Sequence, residues 1–310
     1  MAEISKTAVL GAGVIGASWT ALFLAAGKNV NVYDPSPTVR EDVEAYIENA
    51  WSTLLELGLA VEGRKGELAF FETAAQAVEG CGFIQENVPE RIEIKHATFA
   101  EIEPHLDADA IVSSSASGLM VQEMQKGWKN PSRFILGHPF NPPHLIPLVE
   151  LLGNDKTADG VLEIAETFYK SVGKITIRVN KEVPGHVANR LQAALWREAI
   201  HLVNEGVASV EDVDTAVWSG PGLRWAAMGP TMLFHLGAGE GGLQSFCERY
   251  TDSFNRWWDD LGDLKLDPEI AEKLSTGVAK EAAGKPVESL ANQRDQLVTA
   301  MLTATSKLRS

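Results

Sequence analysis

Cysteine is nearly absent: Cys81 and Cys247 are the only two in 310 residues. They can build neither a disulfide framework nor a cysteine-based metal site, which fits a reducing compartment. The seven histidines are scattered without HExxH-type spacing, so no metal site is expected. Positive charge is also short. Lys and Arg number 27 against 42 Asp and Glu, a net charge of −15 that argues against nucleic acid and anionic membrane surfaces as partners. Repeats and low-complexity tracts are missing. The stretch from Thr7 to Gly27 has no charge at all and is long enough for a membrane span. Gly11, Gly13, Gly16 and Gly27 interrupt it, however, and a basic start and cleavage pattern are lacking. We read it as a buried strand, a turn and a buried helix, and expect a cytosolic protein.

What is present is ordinary globular composition, 45% hydrophobic and 22% charged, at a length that suits two domains. Short apolar strands such as TAVL, NVNVY, GFIQENV, RFILGHPF, PLVELLG and KITIRV alternate with helical patterns over some 180 residues. That alternation predicts an α/β fold with a Rossmann-like, doubly wound, mostly parallel sheet. After Val183-Pro184-Gly185 the strand signals stop, and Val187, Leu191, Leu195, Ala199 and Leu202–Val203 repeat at helical spacing. Ser209 is a plausible N-cap for the next helix, and GPGLRWAAMGP reads as an ordered turn region. The expected domains are therefore 1–183, binding a nucleotide, and 184–310, all helical.

GAGVIG fits G-x-G-x-x-G at Gly11, Gly13 and Gly16, with Val14 and Ile15 completing the cofactor-facing turn. Such glycines permit a tight turn and close approach of a pyrophosphate to a helix N-terminus. The motif alone is weak. Here it follows a strand, opens a helix, and has Asp34 at the end of the next strand, about 20 residues on, as the fingerprint requires. Asp34 would accept the ribose hydroxyls. The first arginine after it is Arg40, so a 2′-phosphate would meet negative charge without a clamp, which favours NAD over NADP.

An alcohol oxidised by a nicotinamide enzyme needs a base for its hydroxyl proton. His138 ends a strand of the expected sheet, where ligands of such folds bind, and Glu150 is a lone acid in PLVELLG. A carboxylate on the far ring nitrogen would fix the tautomer and stabilise the imidazolium. Pro139, Pro142 and Pro143 exclude a helix between the two, so a turn-back between extended segments can bring them together.

From end to end the chain resembles the L-3-hydroxyacyl-CoA dehydrogenase superfamily, through GAGVIG with Asp34, ENVPERIEIK, SSSASGL, GHPFNPPHLIPLVE and PGHVANR. The resemblance implies His138 and Glu150 as the catalytic pair, with Ser117 and Asn189 binding the substrate oxygen. It also implies Glu90, Lys95, Ser117 and Asn141 as cofactor contacts. Taken singly, Asn189 reads equally as a helix cap and Ser117 as a strand-end cap.

Two features separate the chain from the acyl-CoA members. The helix TVREDVEAYIENAWSTLLELGL carries Arg40 as its only cation against five acids, which would repel the phosphates of CoA, although Arg64 and Lys65 follow. GPGLRWAAMGP resembles the family's free-acid branch, the L-gulonate 3-dehydrogenase (lambda-crystallin) and L-carnitine dehydrogenase relatives. Arg224 would clamp a substrate carboxylate, or else pair with Asp212 or Asp214. Trp225 beside it offers an aromatic face to a trimethylammonium group. The expectation is an NAD-dependent dehydrogenase of a small free 3-hydroxy acid, homodimeric through its helical domain as is typical of the family. A short-chain L-3-hydroxyacyl-CoA dehydrogenase and a non-catalytic dinucleotide-binding protein, structural or sensing, are the alternatives.

Overall fold

The computed structural model describes residues 4–61 and 65–309, so Arg64 lies outside the described residues. Eight strands, β1 (Lys6–Leu10), β2 (Asn29–Tyr33), β3 (Leu68–Phe70), β4 (Phe83–Glu86), β5 (Ile111–Ser114), β6 (Phe134–Pro139), β7 (Leu148–Leu152) and β8 (Ile175–Arg178), form one sheet. Its order is β3-β2-β1-β4-β5-β6-β7-β8, parallel throughout except for the antiparallel β6–β7 pair. The helices between the strands are α1 (Val14–Ala25), α2 (Val39–Glu56), α3 (Ala74–Val78), α4 (Ile92–Ile102), α5 (Val121–Met124) and α6 (Val161–Ser171).

Side chains along β1 alternate between two apolar layers. Val9 packs with α1, α2 and α6 residues such as Phe23, Leu54 and Phe168. Ala8 and Leu10 pack on the other face with Val78 and Phe99 of α3 and α4. Helices on both faces explain why the strands read as nearly continuous apolar runs. Gly16 through Ala25 of α1 are buried, which accounts for the uncharged stretch. Among the described residues no helix is long and apolar enough to cross a membrane.

The remaining helices are α7 (Ala188–Asn204), α8 (Val210–Ser219), α9 (Pro221–Ala227), α10 (Pro230–Gly237), α11 (Gly242–Asp260), α12 (Pro268–Ala282) and α13 (Val287–Arg309). The residues group into two compact units. One holds the chain up to Ala188 together with Leu297–Lys307, and the other holds Asn189–Gln296. Ser209 caps α8 by accepting the Asp212 amide at 3.1 Å. A small core of Val203, Val210 and Val213 joins α7 to α8. GPGLRWAAMGP departs from the expected turn: Pro221 opens α9 and Pro230 opens α10. Proline's fixed φ suits the first helical turn, so prolines that read as turn residues act as helix starts. Leu191 of the periodic α7 stripe is 66% exposed, and Trp196, Trp257 and Trp258 are exposed as well.

Candidate active site

β1 delivers the chain into the glycine turn. Gly11 takes φ +79° and its amide donates to the Tyr33 carbonyl at 2.9 Å. A β-carbon there would also lie 2.6 Å from the Asn87 carbonyl oxygen, so both backbone angle and space demand glycine. Gly13 is the N-cap of α1, without a side-chain cap and with nothing within 4 Å of an added β-carbon. Val14 beyond it is 62% exposed, and Ile15 is half-buried. The first amides of α1 thus lack a side-chain acceptor of their own, beside open space, at the C-terminal edge of the sheet. That is the arrangement a pyrophosphate uses.

Asp34 closes the far side of the turn. Its Oδ2 accepts the Ala12 amide at 2.7 Å and its Oδ1 the Ser36 amide at 2.9 Å, leaving lone pairs for a ribose diol. Arg40 is held by Glu44 at 3.6 Å and lies over the Phe70 ring at 4.5 Å. Lys65 lies over the Trp51 ring.

The antiparallel β6–β7 register sets His138 directly opposite Glu150. Opposed residues share a face, and here they bond: His138 Nδ1 meets Glu150 Oε2 at 2.8 Å, with both side chains buried. The second oxygen of Glu150, Oε1, accepts the amides of Val187 and Ala188, each at 2.9 Å. Burial alone would push the Glu150 carboxyl up. The His138 bond and the Ala188 and Val187 amides outweigh it and hold the group below its ordinary value. An ionised carboxylate only accepts, so His138 carries its proton on Nδ1 and turns the Nε2 lone pair outward. That nitrogen meets Ser117 Oγ at 3.1 Å.

Ser117 is itself placed by Glu90. Glu90 Oε1 accepts the amides of Ser117 at 2.8 Å, of Leu119 at 3.1 Å, and of Gly118 between them. Glu182 accepts the Val121 amide at the other end of the same loop. The structure therefore joins Glu90, Ser117, His138 and Glu150 into one hydrogen-bonded chain.

Other expected residues stand apart from it. Lys95 is 1% exposed, and its ammonium donates to Glu86 Oε1 at 2.6 Å, to Glu86 Oε2 at 2.9 Å and to the Val88 carbonyl at 3.2 Å. These three acceptors let it brace the end of β4. Asn141 is exposed just past β6. Asn189 is the second residue of α7 and half-buried. Arg224 and Trp225 are exposed on α9, and among the described residues Arg224 makes no ion pair with Asp212 or Asp214.

Sequence reasoning passed over three side chains. His144 accepts or donates at Ser18 Oγ, 2.9 Å away, which ties the loop after β6 to α1. Lys174 is buried and donates to the carbonyls of Pro143 and Ile146, with burial pulling its ammonium down to about 7. His186 packs its ring 5.2 Å, centroid to centroid, from that of His138. A histidine inside PGHVANR, two residues past Pro184, was the available signal.

The NAD-binding-domain model of 3-hydroxyacyl-CoA dehydrogenases matches residues 6–183, and the C-terminal-domain model of the same enzymes matches residues 185–278. The chain belongs to the 3-hydroxyacyl-CoA dehydrogenase family. As a member, it is an NAD-dependent oxidoreductase acting on a CH–OH group. It is 41% identical to the L-carnitine dehydrogenase of Streptomyces coelicolor, over 99% of this chain and 96% of that protein. It is 39% identical to the L-carnitine dehydrogenase of Nocardiopsis dassonvillei, over 97% and 92%. Among solved structures it is similar to 5-formyl-3-hydroxy-2-methylpyridine 4-carboxylic acid 5-dehydrogenase, an NAD+-dependent dismutase. That match has a TM-score of 0.82 and 29% identity, over 96% of this chain and 97% of the other.

Proposed function

We propose that this family member interconverts a small free 3-hydroxy acid and its 3-oxo acid, with L-carnitine as the first substrate to test. The observation that carries the chemistry is the Glu150–His138–Ser117 chain, a base with its orienting carboxylate and a hydroxyl at the reacting nitrogen. The free-acid substrate is supported by the full-length similarity to L-carnitine dehydrogenases and by the pyridine carboxylic acid in the name of the structural relative. The acids on α2 point the same way, because CoA phosphates would meet Glu41, Asp42 and Glu44 there.

NAD bound at the glycine turn supplies the acceptor for the hydride leaving the carbinol carbon. His138 Nε2 takes the hydroxyl proton, and Glu150 offsets the charge that then develops on the ring. Ser117 and Asn189 are neutral donors that hold the substrate oxygen without competing for that proton. Glu90 and Lys95 act through the strand ends and loop they brace. Asn141 completes the cofactor contacts after β6. Arg224 clamps the carboxylate in bidentate fashion, with Trp225 beside it.

On this reading residues 1–183 bind the cofactor, and residues 184–310 recognise substrate and pair two cytosolic subunits through apolar helix faces such as that of Leu191 and Trp196. A screen of NAD reduction with carnitine, gulonate, 3-hydroxybutyrate and 3-hydroxybutyryl-CoA tests the substrate class. Turnover is expected on a free acid; a CoA ester outrunning every free acid would reverse the assignment.

A further inference from the structure

His186 lies outside the roles assigned above, yet it is the most anomalous side chain near them. It is 2% exposed and takes φ +50°, and its amide donates to the Val183 carbonyl at 3.1 Å. Among the described residues neither ring nitrogen makes a hydrogen bond of good geometry, the Ala116 backbone being the nearest approach to one. Its ring packs against that of His138 at 5.2 Å and 53°. The next two residues, Val187 and Ala188, supply the amides that hold Glu150 Oε1. A phenyl ring would fill this space without stranding two polar atoms, so what the imidazole adds is its ability to take a proton.

Three ionisable groups face it: His138 on β6, Glu150 on β7 and Glu90 before α4. Burial disfavours the charged ring most, and His138 adds to that. Glu150, the Ala116 backbone and Glu90 oppose them without reversing the balance, so its affinity for a proton is lowered. Of the two rings, only His138 has a carboxylate in hydrogen-bond contact.

We propose that His186 is a positioning residue for His138 and the acid-sensing member of the pair: a second proton, landing on His186, sets two cations side by side and disables the site. The charged His186 ring is driven from its pocket, and the Val187 and Ala188 amides leave Glu150 with it. The proposal rests on His138 being the base of the reaction.

The test is the pH dependence of oxo-acid reduction in the wild type, His186→Gln and His186→Phe, each scaled to its own plateau. The acid limb should move to lower pH in both variants by about one unit or more, and the fall in thermal stability below pH ~6.5, the ordinary histidine value, should shrink. A uniform loss of rate with the limb unmoved overturns the proposal. Should neither variant fold, NMR titration of labelled histidines in the wild type decides. His186 must stay neutral well below pH 6.5, and titration at or above that value overturns the idea. His138→Gln separates this from the broader reading: if that variant turns over normally the base is wrong, whereas the titration of His186 is read independently.

Discussion

His138 and Glu150 are direct cross-strand partners in the one antiparallel pair of an otherwise parallel sheet, and their side chains meet at 2.8 Å. Sheet register, not loop flexibility, therefore fixes the imidazole against the carboxylate. A one-residue slip of β7 would turn Glu150 to the opposite face and leave the ring unpartnered.

Replacing Glu150 tests that coupling. Glu150→Gln keeps the shape but loses the charge, so kcat should fall on the order of 10²- to 10⁴-fold while NADH binding, read by fluorescence titration, stays near wild type. The carboxyl is held below its ordinary value in the folded chain, so the stability it contributes is present above that value and is lost as pH falls through the lowered one. The variant should lack this acid-side loss in thermal melts run from pH 6 to pH 3.

Glu90 should behave as an organiser of the Ser117 loop. Because Glu90 Oε1 gathers three consecutive amides, Glu90→Ala and Ser117→Ala should each lower kcat, and the double variant should be little worse than either. A rise in KM for NAD confined to Glu90→Ala, with kcat preserved, would mark it as a direct cofactor ligand instead.

Asp34 should govern the choice of dinucleotide. The wild type is expected to prefer NAD to NADP by more than about tenfold in kcat/KM, equivalent to about 1.4 kcal/mol. Asp34→Ala should narrow that ratio by weakening NAD. An unchanged ratio would show that the ribose does not meet this carboxylate.

Lys174 gives a signature at alkaline pH. Its folded value, about 7, lies below the ordinary lysine value, so the unfolded chain binds more protons between them and stability should rise with pH across that window. Lys174→Met should flatten the rise in denaturant unfolding between pH 7 and 10. A slope equal to that of the wild type would remove Lys174 as its source.

Much of this architecture could be read directly from residues. The alternation of apolar strands and helices gave the doubly wound sheet, and the prolines between His138 and Glu150 pointed to a turn-back. Periodicity located α7, and Ser209 its successor. What escaped depends on three-dimensional neighbours. The Glu86–Lys95 ion pair escaped because the two residues, nine apart, meet at the end of β4 only once folded. Pro221 and Pro230 read as turn residues because a proline at a helix start and one in a turn are alike in sequence. His186 was invisible because only the β6 strand places another imidazole against it.

The central claim is that His138 is the proton acceptor, and turnover of His138→Gln with NAD and the best free hydroxy acid tests it most directly. A fall in kcat on the order of 10²- to 10⁴-fold with NADH binding intact is the expected result. Wild-type turnover in that variant would contradict it.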